Sequence, residues 1–405
     1  IGPAAYFTDN GITIYAGNSV NIGGTGTSYN FTGTLILAGT EAGIVKGAGA
    51  ANNFNVRDAD ATNKNAVAAL NNLIIRVANT GGEFRLRDGT TNTFTLKGDL
   101  IVEPGAAGRI RFYNNDVLIG GDLIIGGGFA GTIDAIKSAN FNGGEQQNIS
   151  NALMVNLTSL YITNTSGLVT LDGIFDVAQL LQFNNGILKT SANGLIKIGL
   201  TGQITGTGTS KYVEGNLGRR ANATTPTVLM YPMGIDDQYL PFAFEVSHTG
   251  VTENLYVGSI SLTGVAKMSL SEEIEYLAGN QRYSLTSSGA NTIQTGKVTL
   301  PFDPGALGFD TQWLRVAGSS PGGWINLGGL VGGNAVSSVD NIVETSTYAL
   351  AKAAEPHVVP DTLALQNMTI AEFTDTCFAA IEKITVAGDG TLFEVAGNGS
   401  VNLVA

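Results

Sequence analysis

Apolar residues in the first half of the chain come in short runs closed by glycine or asparagine. Examples are Leu73-Ile74-Ile75, Phe94-Thr95-Leu96, Leu100-Ile101-Val102, Val117-Leu118-Ile119 and Leu123-Ile124-Ile125. No window sustains the spacing of an amphipathic helix, so the runs read as strands. Two of them lie in a repeated phrase, KGDLIVEPG from Lys97 and GGDLIIGGG from Gly120, which sets Leu100 over Leu123 and Arg109-Ile110-Arg111 over Thr132-Ile133-Asp134. Going backwards, Arg85-Leu86-Arg87 aligns with Arg109-Ile110-Arg111 at a slightly longer step. Strand-and-turn units recurring every 20–25 residues or so are the signature of a parallel β-solenoid, in which each coil buries its inward side chains against the coils above and below. A second block, Leu157 to Leu171, follows the same plan as Leu70 to Leu86 and extends the coils to about residue 210.

Beyond Arg220 the alternation lengthens. TPTVLMYPMGIDDQYLPFAFEVSHTG (225–250) reads as antiparallel strands, and TQWLRVAGSSPGGWINLGG (311–329) as a hairpin with Trp313 and Trp324 on its two strands, both contributing to a sandwich core. Glu355-Pro356-His357-Val358-Val359-Pro360 breaks both patterns, and short strands resume in residues 374–405. The pattern therefore predicts an all-β chain: a parallel β-solenoid over residues 1–215, an immunoglobulin-like antiparallel β-sandwich over 216–354, and a linker with a short β segment over 355–405.

The order FNGGEQQNIS (141–150), NLTSLYITNTSGLVTL (156–171), LLQFNNGILKTSANGLIKIG (180–199) and KYVEGNLGRR (211–220) resembles the repetitive β-rich segments of large secreted surface proteins of Bacteroidetes. The resemblance covers most of residues 141–350, and residues 374–405 resemble a further element of that family. It implies export by the type IX route and a role in a cell-surface filament, in adhesion or in gliding.

Composition narrows the function classes. Charged residues are 13% of the chain, about half the usual share, and the formal net charge is −12, so nothing suggests a nucleic-acid partner. No apolar stretch reaches the roughly 18 residues of a membrane helix. A single cysteine, Cys377, precludes an intrachain disulfide and reads as a small buried side chain. The start at Ile1 reads as a processed or trimmed terminus. The stop at Ala405, in mid-pattern, reads as a trimmed end or as a sheet that another subunit completes.

The sharpest chemical candidate is the set Arg85, Arg87, Arg109 and Arg111. Each pair brackets an apolar residue, so all four are expected on the outer face, stacked at the coil spacing of about 4.8 Å. Such a face could hold an acidic polysaccharide. The plainer reading is a solvated face neutralised by Glu83, Asp88, Glu103 and Asp134.

The carboxylates Asp58, Asp60, Asp236, Asp237, Asp303 and Asp310 fall where turn chemistry explains them, and none has calcium-loop spacing. His248 reads as a turn residue and His357 as part of the linker. GGTGTS (23–28) and GTGTS (206–210) lack the lysine and the following helix of a phosphate loop and read as coil turns. Thr362, in Asp361-Thr362-Leu363, matches a short O-glycosylation pattern of secreted Bacteroidetes proteins.

The expectation is thus a non-catalytic extracellular protein, with no metal or cofactor, that associates head to tail with copies of itself. The alternatives are the stalk of a giant adhesin and a solenoid that binds or cleaves acidic surface glycans.

Overall fold

The computed structural model describes residues 93–354 except 104–108, 112–115, 127–132, 135, 223 and 263–268. It also describes isolated strands between Ile14 and Leu86 and three strands between Ile384 and Val404. The chain forms two compact units, Ile1–Ala354 and Glu355–Ala405. All described elements are β apart from one 3-10 turn, Thr311–Trp313.

The first half is a parallel β-solenoid. Leu73, Leu100, Leu123 and Ile149 are aligned partners on successive coils, as are Phe94, Val117, Ala139 and Leu160. Every one of these is buried. Side chains alternate about the strand, so in-register aliphatic columns fill the interior without a second layer.

A third column consists of the strands Val20–Asn21, Asn53–Arg57, Glu83–Leu86, Arg109–Arg111 and Ile133–Asp134, again parallel. The coil step varies along the chain, being 27 residues between Leu73 and Leu100, 21 between Phe175 and Ile196 and 25 between Leu188 and Val213. The two blocks that look alike in sequence occupy different columns. Leu73 stacks under Leu100, whereas Leu160 stacks over Ala139, so the similarity records a shared corner plan and not a shared face.

The repeated phrase is explained at a corner. Asp99 Oδ1 accepts the backbone N–H of Asp122 at 2.8 Å, Asn72 Oδ1 accepts that of Asp99 at 2.7 Å, and Asp122 Oδ1 accepts that of Asn148 at 2.7 Å. An Asx residue before each aliphatic strand therefore ties its coil to the next, satisfying an amide that the turn leaves without a ladder partner.

The solenoid passes into the second half without a linker. Strand Leu217–Ala221 pairs in parallel with Leu195–Ile198 on the last coil and antiparallel with Asn254–Ser261. The antiparallel sheet continues through Ile274–Ser288, Thr347–Ala353, Leu314–Ser320 and Gly323–Asn326. A five-stranded sheet with edge strands Thr227–Tyr231 and Leu330–Gly332 packs over it.

Aromatic residues fill the space between the sheets: Tyr231 stacks on Phe242 with centroids 4.7 Å apart, and Phe242 meets Tyr283 edge-on at 5.4 Å. The expected boundary at residue 215 is thus a shared strand.

Neither tryptophan stands in the core between the sheets: Trp324 packs with Ile274, Ala317, Ala349 and Ala351 in a separate cluster, on the face opposite Tyr348 and Leu350. Trp324 is buried on Gly323–Asn326, but Trp313 lies in the 3-10 turn and is partly exposed. Asp310 caps that turn, its side chain accepting the Gln312 N–H at 3.0 Å, which ends the extended backbone before Trp313.

In the second unit, Ile384–Thr385, Leu392–Val395 and Val401–Val404 form a small antiparallel sheet with Val401–Val404 at one edge.

Candidate functional site

Of the four candidate arginines, Arg85, Arg109 and Arg111 lie on parallel strands of one column, and Arg87 lies outside the described residues. The register differs from the sequence alignment by two positions. Arg111 stands beside Arg85, and Arg109 beside Glu83. On the other side, Arg111 stands beside Asp134, as the repeat predicts. The register step from Arg85 to Arg111 is 26 residues, two more than the similarity of the two phrases implies. The column thus mixes acids with bases, Glu83 beside Arg109 and Asp134 beside the Arg85–Arg111 pair, which lowers the positive potential a polyanion would feel. We expect Arg87→Ala combined with Arg111→Ala to leave binding to a uronic-acid polysaccharide unchanged within twofold, as measured by isothermal titration calorimetry.

The described aspartates do turn chemistry. Asp236 and Asp237 both adopt left-handed backbone (φ 47° and 62°) between the two short strands they join. Asp303 Oδ1 accepts the Gly305 N–H at 2.9 Å, and Asp310 caps the 3-10 turn. GTGTS closes a turn through Gly206 (φ 72°) and the Gly208–Lys211 bridge. Among the described residues, no three His, Cys, Asp or Glu side chains gather as a metal site would need, and no helix is long and apolar enough to cross a membrane. Asp58, Asp60, His357, Thr362, Cys377 and GGTGTS (23–28) lie outside the described residues.

The most elaborate polar construction sits inside the solenoid. Gln147, almost wholly buried, donates through Nε2 to the carbonyls of Ile119 (2.9 Å) and Gly121 (2.5 Å). Its Oε1 accepts the Gly143 N–H (2.8 Å) and Asn164 Nδ2 (3.0 Å). Asn164 also donates to the Glu145 carbonyl and accepts from Ser166 Oγ and Gly167 N–H. Every hydrogen-bonding capacity of the Gln147 amide is used, so three successive coils are fastened at one corner.

The junction with the sandwich carries a second fastening. Arg220, on the shared strand, grips Asp176 with two parallel hydrogen bonds, Nη1 to Oδ1 at 2.9 Å and Nη2 to Oδ2, while its Nε lies 3.6 Å from Glu253. The Asp176 hydrogen bonds hold the guanidinium pKa above its ordinary value. Its neighbour Arg219 is pulled the other way by burial and donates to the Gly202 carbonyl at 3.2 Å. Fork-on-carboxylate geometry makes this ion pair stronger than an ordinary surface one. Asp176→Asn is expected to lower unfolding free energy by about 1–2 kcal/mol. Denaturant titration at low and at 1 M salt, with a smaller difference at high salt, checks it.

Sequence reasoning missed His248. It is no turn residue but the last residue of Phe242–His248, fully buried, with Nε2 2.6 Å from the Tyr256 hydroxyl and Nδ1 lacking any partner. The strict alternation Phe242, Phe244, Val246 already points position 248 inward.

No protein-family model matches the chain, and no curated protein or solved structure matches it either.

Proposed function

We propose that this chain is a non-catalytic extracellular structural or adhesive protein, a subunit of a cell-surface filament joined head to tail by β-strand contacts. The observation that supports the reading is the passage of the coil ladder, through Leu217–Ala221, into an antiparallel sheet. Force along the coil axis falls on all columns of a coil at once, and at the top it is handed strand to strand, with no flexible tether to yield first. The Gln147 and Arg220 fastenings stand where coils or sheets would otherwise separate. Secretion by the type IX route follows from the resemblance of residues 141–350 to Bacteroidetes surface proteins. A stalk within a giant adhesin uses the same mechanics.

The junction between copies belongs on an open strand edge, which templates addition of another strand. Head-to-tail contacts that do not close give a fibre. Negative-stain electron microscopy of the native material and the recombinant chain tests this. Uniform fibres that vanish when residues 390–405, including the edge strand Val401–Val404, are deleted support the proposal. Discrete monomers at all concentrations contradict it.

A further inference from the structure

His248 and Tyr256 form a buried pair at the place where the sandwich meets the solenoid. Tyr256 lies on Asn254–Ser261, directly opposite Arg219 of the shared strand. Its hydroxyl faces His248 Nε2 at 2.6 Å and accepts a longer contact from Asn254 Nδ2 at 3.4 Å. We assign Nε2 as acceptor of the phenol proton, for which no other acceptor is near among the described residues; in this tautomer the imidazole is neutral and carries its proton on Nδ1, which has no partner. Burial lowers the His248 pKa and raises that of Tyr256, consistent with a neutral pair.

A second proton on His248 would have to sit on Nε2. Tyr256 would then lose its acceptor, and a full charge would stand in an apolar setting of Phe244, Val246 and the facing Ile293.

No carboxylate compensates. On its own strand Glu245 is half-buried on the opposite face, and on the neighbouring strand Lys297 is exposed and carries the same sign. On the other neighbouring strand Tyr231 donates its hydroxyl to the Tyr256 carbonyl; on the facing sheet Arg219 is cationic, and Glu253 is engaged by Arg220. The turn beyond His248 depends on the same corner: Thr249 N–H donates to the Thr292 carbonyl at 3.0 Å, and Asn254 Nδ2 to that of Asn291 at 2.8 Å.

We propose that His248 is an acid-sensitive lock at the solenoid–sandwich joint, whose protonation reverses the Tyr256 hydrogen bond, strands the phenol proton without an acceptor, and loosens the strand pair Leu217–Ala221/Asn254–Ser261. The folded imidazole binds its proton less readily than the unfolded one. The stabilisation is therefore complete above the ordinary histidine pKa near 6.5 and declines as pH falls from there towards the lowered folded value.

The test is the unfolding equilibrium of the full chain between pH 7 and pH 5, with His248→Gln for comparison. Glutamine can accept the Tyr256 proton through its carbonyl and cannot be charged. The unfolding constant of the wild type is expected to rise up to about 30-fold more than that of the variant over this interval. Amides of 254–261 should lose hydrogen-exchange protection first. An acid response of His248→Gln equal to that of the wild type overturns the proposal. Should the variant fail to fold, NMR titration of the wild-type His248 ring decides: a ring still neutral at pH 5.5 upholds the lock, and titration near 6.5 overturns it.

Discussion

Gln147→Leu is expected to lower the unfolding free energy by about 3–5 kcal/mol, the largest loss of any single polar side chain among the described residues of the solenoid. Leucine fits the volume, so the loss comes almost entirely from polar groups. The Gly121 carbonyl and the Gly143 N–H lose their partner in a buried corner, while the Ile119 carbonyl and the Asn164 amide each lose one of two, keeping the Asn142 N–H and the Glu145 carbonyl. Four lost hydrogen bonds at about 1 kcal/mol each, two of them leaving a buried group without a partner, reach this range. Gln146→Leu, one position earlier on an exposed side chain, should change stability by less than about 0.5 kcal/mol. Paired urea titrations of the two variants give the comparison, and equal effects would show that the corner is not fastened as described.

The second large effect concerns the repeated phrase. A Cβ on Gly121 would lie 2.2 Å from Asp99 Oδ1 and 2.6 Å from the Gly98 carbonyl carbon. Neither can retreat, because Asp99 Oδ1 is the acceptor that ties the next coil. Gly121→Ala must therefore push two coils apart, at an expected cost of about 3 kcal/mol. Gly144→Ala serves as the control. Its nearest neighbour would be Thr165 Oγ1 at 3.8 Å, an ordinary contact, and the midpoint of thermal unfolding should barely move. The first position of the phrase tells the same story, since a Cβ on Gly120 would lie 2.3 Å from the Lys97 carbonyl oxygen.

Much of the fold is legible in the sequence because a solenoid repeats its corner chemistry. Gly-Asp-Leu-Ile recurs where an aspartate ties one coil to the next, and that recurrence alone sets Leu100 over Leu123. The same method misplaces Arg85, because an Arg-x-Arg phrase aligned by similarity falls two residues short of the register step.

Gln147 was not legible. In FNGGEQQ it looks like the exposed Gln146 beside it, and its inward face follows from where the strand begins, in phase with buried Ile149. His248 carried a visible signal in its alternation, overridden by the Thr249-Gly250 turn that follows. Trp313 was misread for the opposite reason: the capping aspartate Asp310 outweighs the β propensity around it.

The account rests on coils and antiparallel sheet forming one structural unit. Hydrogen exchange followed by mass spectrometry in sub-denaturing urea tests this most directly. It compares amides of Leu195–Ile198, Leu217–Ala221 and Asn254–Ser261 at neutral pH, where the His248 lock is closed. One common opening free energy across the three strands is the predicted result. Exchange of 254–261 at a much lower free energy than 195–198 would make the sandwich a separately folding attachment and contradict it.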